Sequence, residues 1–315
     1  MNKPPLPSAI FLMGPTASGK TGAAVALISK LPVEIISVDS ALVFRDMNIG
    51  TAKPDEVTLA QAPHHLINII DPTVAYSAAS FRSDALRIMV EITSKGKIPL
   101  LVGGTMLYFK ALEDGLSGLP EANLEVRTIL DGQASQIGWP AMHAKLANID
   151  PETAARLKPN DTQRIQRALE VHAISGETMT NLFAKQTKEV LPYKLLKIAL
   201  LPSDRQVLHK RIERRFEQML QDGFVDEVKA LRLKYPSLSN YATSMRCVGY
   251  RQALEHLAGE YDVEELRDRG IFATRQLAKR QLTWLRGMSD VVELDCLNPE
   301  LNNLVFENIN QFIKS

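Results

Sequence analysis

The stretch AIFLMGPTASGKTGAAVALISKL, residues 9–31, begins as an apolar run, breaks into small residues and resumes with helical spacing. Ala9–Met13 predicts a buried strand, and the residues after Gly19 predict a helix. The break, Gly14-Pro15-Thr16-Ala17-Ser18-Gly19-Lys20-Thr21, matches G-x-x-x-x-G-K-[ST] at every fixed position. Glycines at 14 and 19 let the backbone curl so that its N–H groups converge, and the following helix adds the positive end of its dipole. Lys20 sets a cation against phosphate oxygens, and the Thr21 hydroxyl suits a Mg²⁺ ion. A strand, a loop that holds phosphates and a helix, in this order, predict an α/β fold.

Further strands are expected at Val33–Val38, Ile98–Val102, Lys197–Leu201 and Val291–Leu294, separated by helix-length segments. That alternation implies a P-loop NTPase-like core with a mostly parallel sheet flanked by helices. Strand-like runs vanish over residues 113–191, where Pro120, Pro140, Pro151 and Pro159 bound several helices. Asn160-Asp161 can cap one of these, running through Arg164, Arg167 and Glu170. The expected organisation is a catalytic core of residues 1–112 and 192–315 and an all-helical insertion of residues 113–191.

A chain of 315 residues with 45% hydrophobic content can bury a large core. Two cysteines, Cys247 and Cys296, make no disulfide framework and fit a reducing compartment. The apolar run that follows Lys3 ends at Gly14-Pro15, too short for a signal-peptide core or a membrane span. These features predict a cytoplasmic protein without a membrane partner. Few intermolecular signals are visible, and a monomer is expected.

A nucleoside triphosphatase requires an apolar strand ending in an acid to organise Mg²⁺ and water. Ile98–Val102 ends instead in Gly103-Gly104-Thr105, and only Val33–Val38 ends in an acid, Asp39. Strand carboxyl ends share one crevice in such a sheet, which sets Asp39 and Thr105 against the phosphates. A helix cap at Asp39 and a simple turn residue at Thr105 are the competing readings. One carboxylate with no second acid to position a hydrolytic water suits a general base, and therefore group transfer rather than hydrolysis.

The net charge of +1 hides a gradient. Residues 31–92 carry four basic and eight acidic residues, whereas residues 270–289 carry four basic residues and no acid. At about 100° per residue, Arg275, Lys279 and Arg286 share one helical stripe. Leu277, Ala278, Gln281 and Leu285 turn elsewhere, inward, and Arg280 and Trp284 form a separate side able to grip a base. Arg246-Cys247-Val248-Gly249-Tyr250-Arg251 offers cations and a stacking face, and Gln163-Arg164-Ile165-Gln166-Arg167 a third basic cluster. Three clusters beside a phosphate loop point to a nucleic-acid backbone. One of Arg205, Lys210, Arg211, Arg214 and Arg215 can clamp a leaving group, but spacing does not say which. His64-His65 has no ligand-spaced Cys, Asp or Glu beside it and is not read as a metal site. A small-substrate kinase fits the loop but has no use for the insertion or the basic helix. A non-catalytic RNA-binding module leaves Asp39 and Thr105 unexplained.

The motifs GPTASGKT, SVDSAL, IGTAKP, LVGGTMLYFKAL, PNDTQRIQRALEV, RCVGYRQ and ATRQLAKRQLTWLRG occur in the order found in bacterial tRNA dimethylallyltransferases, which the chain resembles over about residues 9–287. The resemblance implies transfer of a dimethylallyl group from its diphosphate to the exocyclic N6 amine of the adenosine immediately 3′ of the anticodon, in tRNAs that read codons beginning with U. It implies that the loop Gly14–Thr21 holds an isoprenoid diphosphate with Mg²⁺, not ATP. It implies Asp39 as the base, Thr105 beside the diphosphate, Lys20 on the leaving group and Arg215 as an added clamp. It implies tRNA contacts from Asp39, Ser40, Ala41 and Leu42, from Thr105 and Arg127, from Gln163 to Arg167 and from Arg246 to Arg251. The last such segment is Lys279, Arg280, Gln281, Leu282, Thr283, Trp284, Leu285 and Arg286. The final ~25 residues carry no signal of the family.

Overall fold

The computed structural model describes residues 5–116, 118–185 and 189–315, so Lys3 lies outside the described residues. The chain divides into two compact units, residues 1–112 with 192–315, and residues 113–191.

The first unit is organised by β1 (Ser8–Met13), which leads through the glycine-rich loop into α1 (Lys20–Ile28). Then follow β2 (Val33–Val38), α2 (Glu56–Gln61), β3 (His64–His65), α3 (Ala78–Ser94), β4 (Ile98–Gly103) and α4 (Met106–Asp114). The six strands of the sheet run parallel in the order β3-β2-β4-β1, then β5 (Lys194–Leu201) and β6 (Val292–Asp295). β3 is a two-residue strand that no periodicity signals, because a pattern of period two needs more than one repeat to be visible. β5 begins three residues before the expected Lys197, and β6 is shifted by one residue from the expected Val291–Leu294.

One face of the sheet, with Ile10, Leu12, Ile35, Leu100 and Ile198, packs on Ala23, Ala24 and Leu27 of α1. The same layer includes Leu301, Val305 and Ile309 of the last helix. The final residues, without a family signal in the sequence, are therefore part of the main core. On the other face Phe11 meets Phe109 of α4 at 5.0 Å between ring centroids.

The second unit contains α5 (Leu124–Ile137), α6 (Trp139–Ile149), α7 (Pro151–Ala155), α8 (Thr162–Ser175) and α9 (Met179–Ala184). Leu130, Met142, Leu146, Ile165 and Leu169 form its own core. Asp161 does occupy the N-cap position of α8, but its side chain makes no cap bond and instead accepts from Arg164 at 3.0 Å. Glu170, fully buried on α8, accepts from Arg127 Nε at 2.9 Å, Arg167 Nη1 at 2.7 Å and the Asn123 backbone N–H at 2.8 Å. Burial pushes the Glu170 carboxyl up, and the two arginines outweigh it and hold it below its ordinary range.

After β5 come α10 (Arg205–Gln221), α11 (Phe224–Lys234), a 3₁₀ turn at Ser244–Arg246, α12 (Tyr250–Leu257), α13 (Val263–Arg286), β6 and α14 (Leu301–Lys314). Leu208 and Ile212 of α10 pack against Ala278 and Leu282 of α13, with Ala17 of the loop against them. Arg267 and Arg275 of α13 pair with Glu213 of α10 across the same contact.

Removing a buried charge partner leaves its mates uncompensated at a cost of about 3–5 kcal/mol. Glu170→Ala is therefore expected to unfold the helical unit at lower temperature than the core, read by hydrogen exchange over residues 124–175. Uniform protection in the variant would show that the cluster does not hold that unit together.

Candidate functional site

The register brings the carboxyl ends of three strands level. Met13 of β1 and Val38 of β2 both pair with Gly103 of β4. The loops that follow, at Gly14, Asp39 and Gly104, therefore open on one edge of the sheet, where ligands of such sheets gather. A cavity of about 530 Å³ lies there, bordered by Lys20, Thr21, Asp39, Thr105, Arg215 and Arg280, all within the first unit.

The glycine-rich loop curls through Ala17 at φ 63° and Gly19 at φ 85° before α1 begins. The first N–H groups of α1 have no carbonyl to meet, as at any helix start. Lys20 Nζ donates to the Pro15 carbonyl within the loop at 2.7 Å. Burial draws its amine down to about 8, with the Asp39 charge working in the opposite direction and Arg215 adding to the depression. Burial likewise draws the Arg215 guanidinium below its ordinary range, again opposed by Asp39. Of the five basic residues on α10, the fold thus brings Arg215 to the cavity, while Arg211 donates to the Cys296 carbonyl.

Asp39 Oδ1 accepts the backbone N–H of Ala41 at 2.8 Å and of Leu42 at 3.4 Å, and no described residue hydrogen-bonds Oδ2. A turn follows, not a helix, so the carboxylate is oriented by its own turn and is not a helix cap. Thr105 Oγ1 accepts the Ser40 N–H at 3.0 Å and makes a long 3.4 Å contact to Ser40 Oγ. It ties the turn after β4 to the turn carrying Asp39. Asp39 is the one carboxylate among the described residues bordering the cavity, against Lys20, Arg215, Arg246 and Arg280.

The apolar part of the wall comes from Ile212, Phe216 and Met219, on the same face of α10 as Arg215, and from Val102, Leu42 and Leu277. Sequence reading passed over these three α10 residues, although their i, i+4, i+7 spacing beside Arg215 is a legible amphipathic signal. It also missed His64 as a wall residue, while Cys247, expected within the segment Arg246–Arg251, does border the cavity. Burial pushes the Cys247 thiol up to about 12, so it is neutral there. His64 Nδ1 lies 2.6 Å from the Ala62 carbonyl, and burial lowers its pKa. His65 instead faces Glu34 at 3.1 Å. No sequence signal marks His64, since it sits on the two-residue strand.

Several residues expected at a nucleic-acid surface are placed otherwise. Tyr250 is not a stacking face: it is fully buried, edge-on to Phe224 at 5.1 Å, and its hydroxyl donates to Glu227. Ile165, Leu282 and Leu285 pack inside, and Gln166 donates to Asp131. Arg127 and Arg167 neutralise Glu170, and Arg275 neutralises Glu213. Gln281 is 8% exposed, with its amide spent on the loop and on Gly104 just after β4. Arg164, Arg246, Lys279, Arg280, Thr283, Trp284 and Arg286 remain exposed.

Sheet, loop and cleft together define a P-loop-like α/β protein with an electropositive site at the sheet's carboxyl edge. A family model described as IPP transferase matches residues 42–288, and the chain belongs to that family. It is 63% identical over 309 residues to a tRNA dimethylallyltransferase of Methylobacillus flagellatus, covering 98% of each chain. It is 56% identical over 315 residues to the tRNA dimethylallyltransferase of Dechloromonas aromatica, covering all of both. The crystal structure of the full-length tRNA isopentenylpyrophosphate transferase from Bacillus halodurans superposes with a TM-score of 0.68 at 35% identity, over 98% of this chain and 99% of that one. A eukaryotic dimethylallyltransferase studied while acting on tRNA superposes with a TM-score of 0.79 at 27% identity, over 98% of this chain and 80% of that one. No helix among the described residues is long and apolar enough to cross a membrane.

An amine with a pKa near 8 must be protonated to pair with an anion. Pyrophosphate affinity is therefore expected to be full below pH 8 and to fall as the pH rises past it, with proton uptake on binding measurable by calorimetry in buffers of different ionisation enthalpy. Lys20→Arg, which stays charged, should remove that fall. A flat profile in the wild type would exclude Lys20 from the anion site.

Proposed function

We propose that this chain is a tRNA dimethylallyltransferase. In this reading it transfers the dimethylallyl group of dimethylallyl diphosphate to the N6 amine of the adenosine 3′-adjacent to the anticodon, in tRNAs reading U-initial codons. The carrying observation is Asp39, the one carboxylate among the described residues of the cavity, set among cations beside the glycine-rich loop. Relatives of that name at 56–63% identity support RNA as the acceptor.

The N6 nitrogen attacks C1 of the dimethylallyl group as the C1–O bond breaks, and the bonding pair leaves with the diphosphate. The N6 proton passes to Asp39, whose Oδ2 is bonded by no described residue while Oδ1 is held by Ala41 and Leu42. Lys20, Arg215 and the N–H groups opening α1 meet the charge that develops on the leaving group. Thr105 turns its weakly used hydroxyl to a diphosphate oxygen. A stacked adenine cannot reach this cavity, so the base leaves the stack, at low cost in an anticodon loop that is largely unpaired. Arg246, Lys279, Arg280 and Arg286 supply the backbone contacts and Trp284 an aromatic face, while Arg164 and Gln163 serve from the insertion.

The donor set suits Mg²⁺. Thr21 borders the cavity with its hydroxyl unbonded to any described residue, and no group of three or more His, Cys, Asp or Glu stands among the described residues to hold an ion alone. The ion would be shared between Thr21, the ligand's own oxygens and water, as this small hard cation prefers. When bound it supplies Lewis-acid stabilisation of the leaving diphosphate. Both substrates are cytoplasmic molecules, and the chain is assigned to that compartment, acting as a monomer.

Asp39→Ala should lower turnover by about 10²-fold or more while pyrophosphate binding persists. The check is mass analysis of anticodon-loop nucleosides after incubation with both substrates. Unchanged turnover would remove the base assignment, and ADP formed from ATP and a small acceptor would favour a kinase. Lys279→Gln and Arg286→Gln should each weaken tRNA binding and reduce its log–log salt slope by about 1. An unaltered slope would return α13 to a solvated helix.

A further inference from the structure

We propose that Gln281 is a positioning residue of the diphosphate site and not a contact to the RNA. The inference rests on the reading above that the loop holds a diphosphate. Gln281 projects from α13 between the glycine-rich loop and the end of β4. Its Oε1 accepts the Thr16 N–H at 2.9 Å and its Nε2 donates to the Gly104 carbonyl at 2.9 Å. Both partners are backbone groups of fixed polarity, one only a donor and one only an acceptor, so the amide can sit one way round. A side chain with an acceptor and a donor on one carbon is what the position requires. The space is reserved for it: a Cβ on Gly104 would lie 2.4 Å from Gln281 Nε2 and 3.3 Å from the Gly14 carbonyl oxygen.

The bond to Thr16 pins the first half of the loop, the half that Lys20 also holds through Pro15. The bond to Gly104 pins the turn whose next residue, Thr105, holds Ser40 beside Asp39. One chain of contacts thus runs from the loop through Gln281, Gly104, Thr105 and Ser40 to the carboxylate. It sets the separation between the group that grips the leaving diphosphate and the group that takes the proton. Rate depends steeply on that separation, because reacting atoms must be held in near-attack geometry. Lys279, two residues before Gln281 on the helix, is exposed and does not border the cavity. The basic run KRQLTWLR therefore serves two sites, with Gln281 on the inner side.

The test compares Gln281→Met, close in size but without hydrogen bonds, with Lys279→Met. Pyrophosphate affinity is measured by calorimetry, tRNA affinity by filter binding, and turnover with dimethylallyl diphosphate and tRNA. Gln281→Met should weaken pyrophosphate about tenfold and raise the KM for dimethylallyl diphosphate, with tRNA affinity within about twofold. Lys279→Met should show the reverse. Gln281→Glu guards against simple misfolding. Its neutral acid both accepts from Thr16 and donates to Gly104, so its pyrophosphate affinity relative to wild type should recover as the pH is lowered from 8 to about 5.5. Pyrophosphate affinity within twofold in Gln281→Met, or a loss confined to tRNA, would overturn the proposal, as would a pH-independent deficit in Gln281→Glu. Wild-type protein that fails to modify tRNA would overturn the catalytic reading instead, and the pyrophosphate comparison would still judge the role of Gln281.

Discussion

The site depends on the close approach of two backbone segments at the end of β4. A Cβ on Gly103 would lie 2.0 Å from the Val38 carbonyl oxygen, and one on Gly104 would meet the Gln281 amide. No side chain fits at 103, where the neighbour is backbone, and at 104 one would displace the Gln281 amide. Because none is present, β2 and β4 stay level at their carboxyl ends, and the turns carrying Asp39 and Thr105 can be joined by the Ser40–Thr105 bond. The glycine-rich loop of β1 lies on the other side of the same strand end. A residue with a side chain at 103 would push apart the turn carrying Asp39 and the strand end beside the glycine-rich loop.

Burial gives the cavity its electrical character. Lys20 and Arg215 are both held where their charged forms are disfavoured, and Asp39 is the nearby charge that works against this. Two desolvated cations and one carboxylate leave an excess of positive charge waiting for an anion. The neutral Cys247 thiol and the apolar face of α10 complete the wall of the cavity.

Much of this was legible in the sequence. Five of the six strands follow from short apolar runs, and the loop follows from its fixed spacing. Asp39 and Thr105 were found because strand ends converge in any parallel sheet. Charge was harder to read. Arg127 enters by the resemblance and Arg275 by the count of cations, yet they face Glu170 and Glu213 on other helices, whereas Arg167 pairs with Glu170 one turn along its own helix. Partners more than 40 residues away leave no local pattern. Tyr250 misled for the same reason, since an aromatic beside arginines looks the same whether it faces solvent or Phe224.

The sequence alone settled the strand–loop–helix opening, the α/β class and the change of rhythm over residues 113–191, because these depend on periodicity and on glycine spacing within about 20 residues. Tertiary structure alone decided that Arg127 and Arg275 are spent on glutamates of other helices, and that Gln281 turns inward to Thr16 and Gly104 while Arg280 next to it stays exposed. Successive residues on a helix point about 100° apart, so adjacent letters of one motif can serve different sites. Which direction is inward is settled only when the sheet and α10 have packed against that helix.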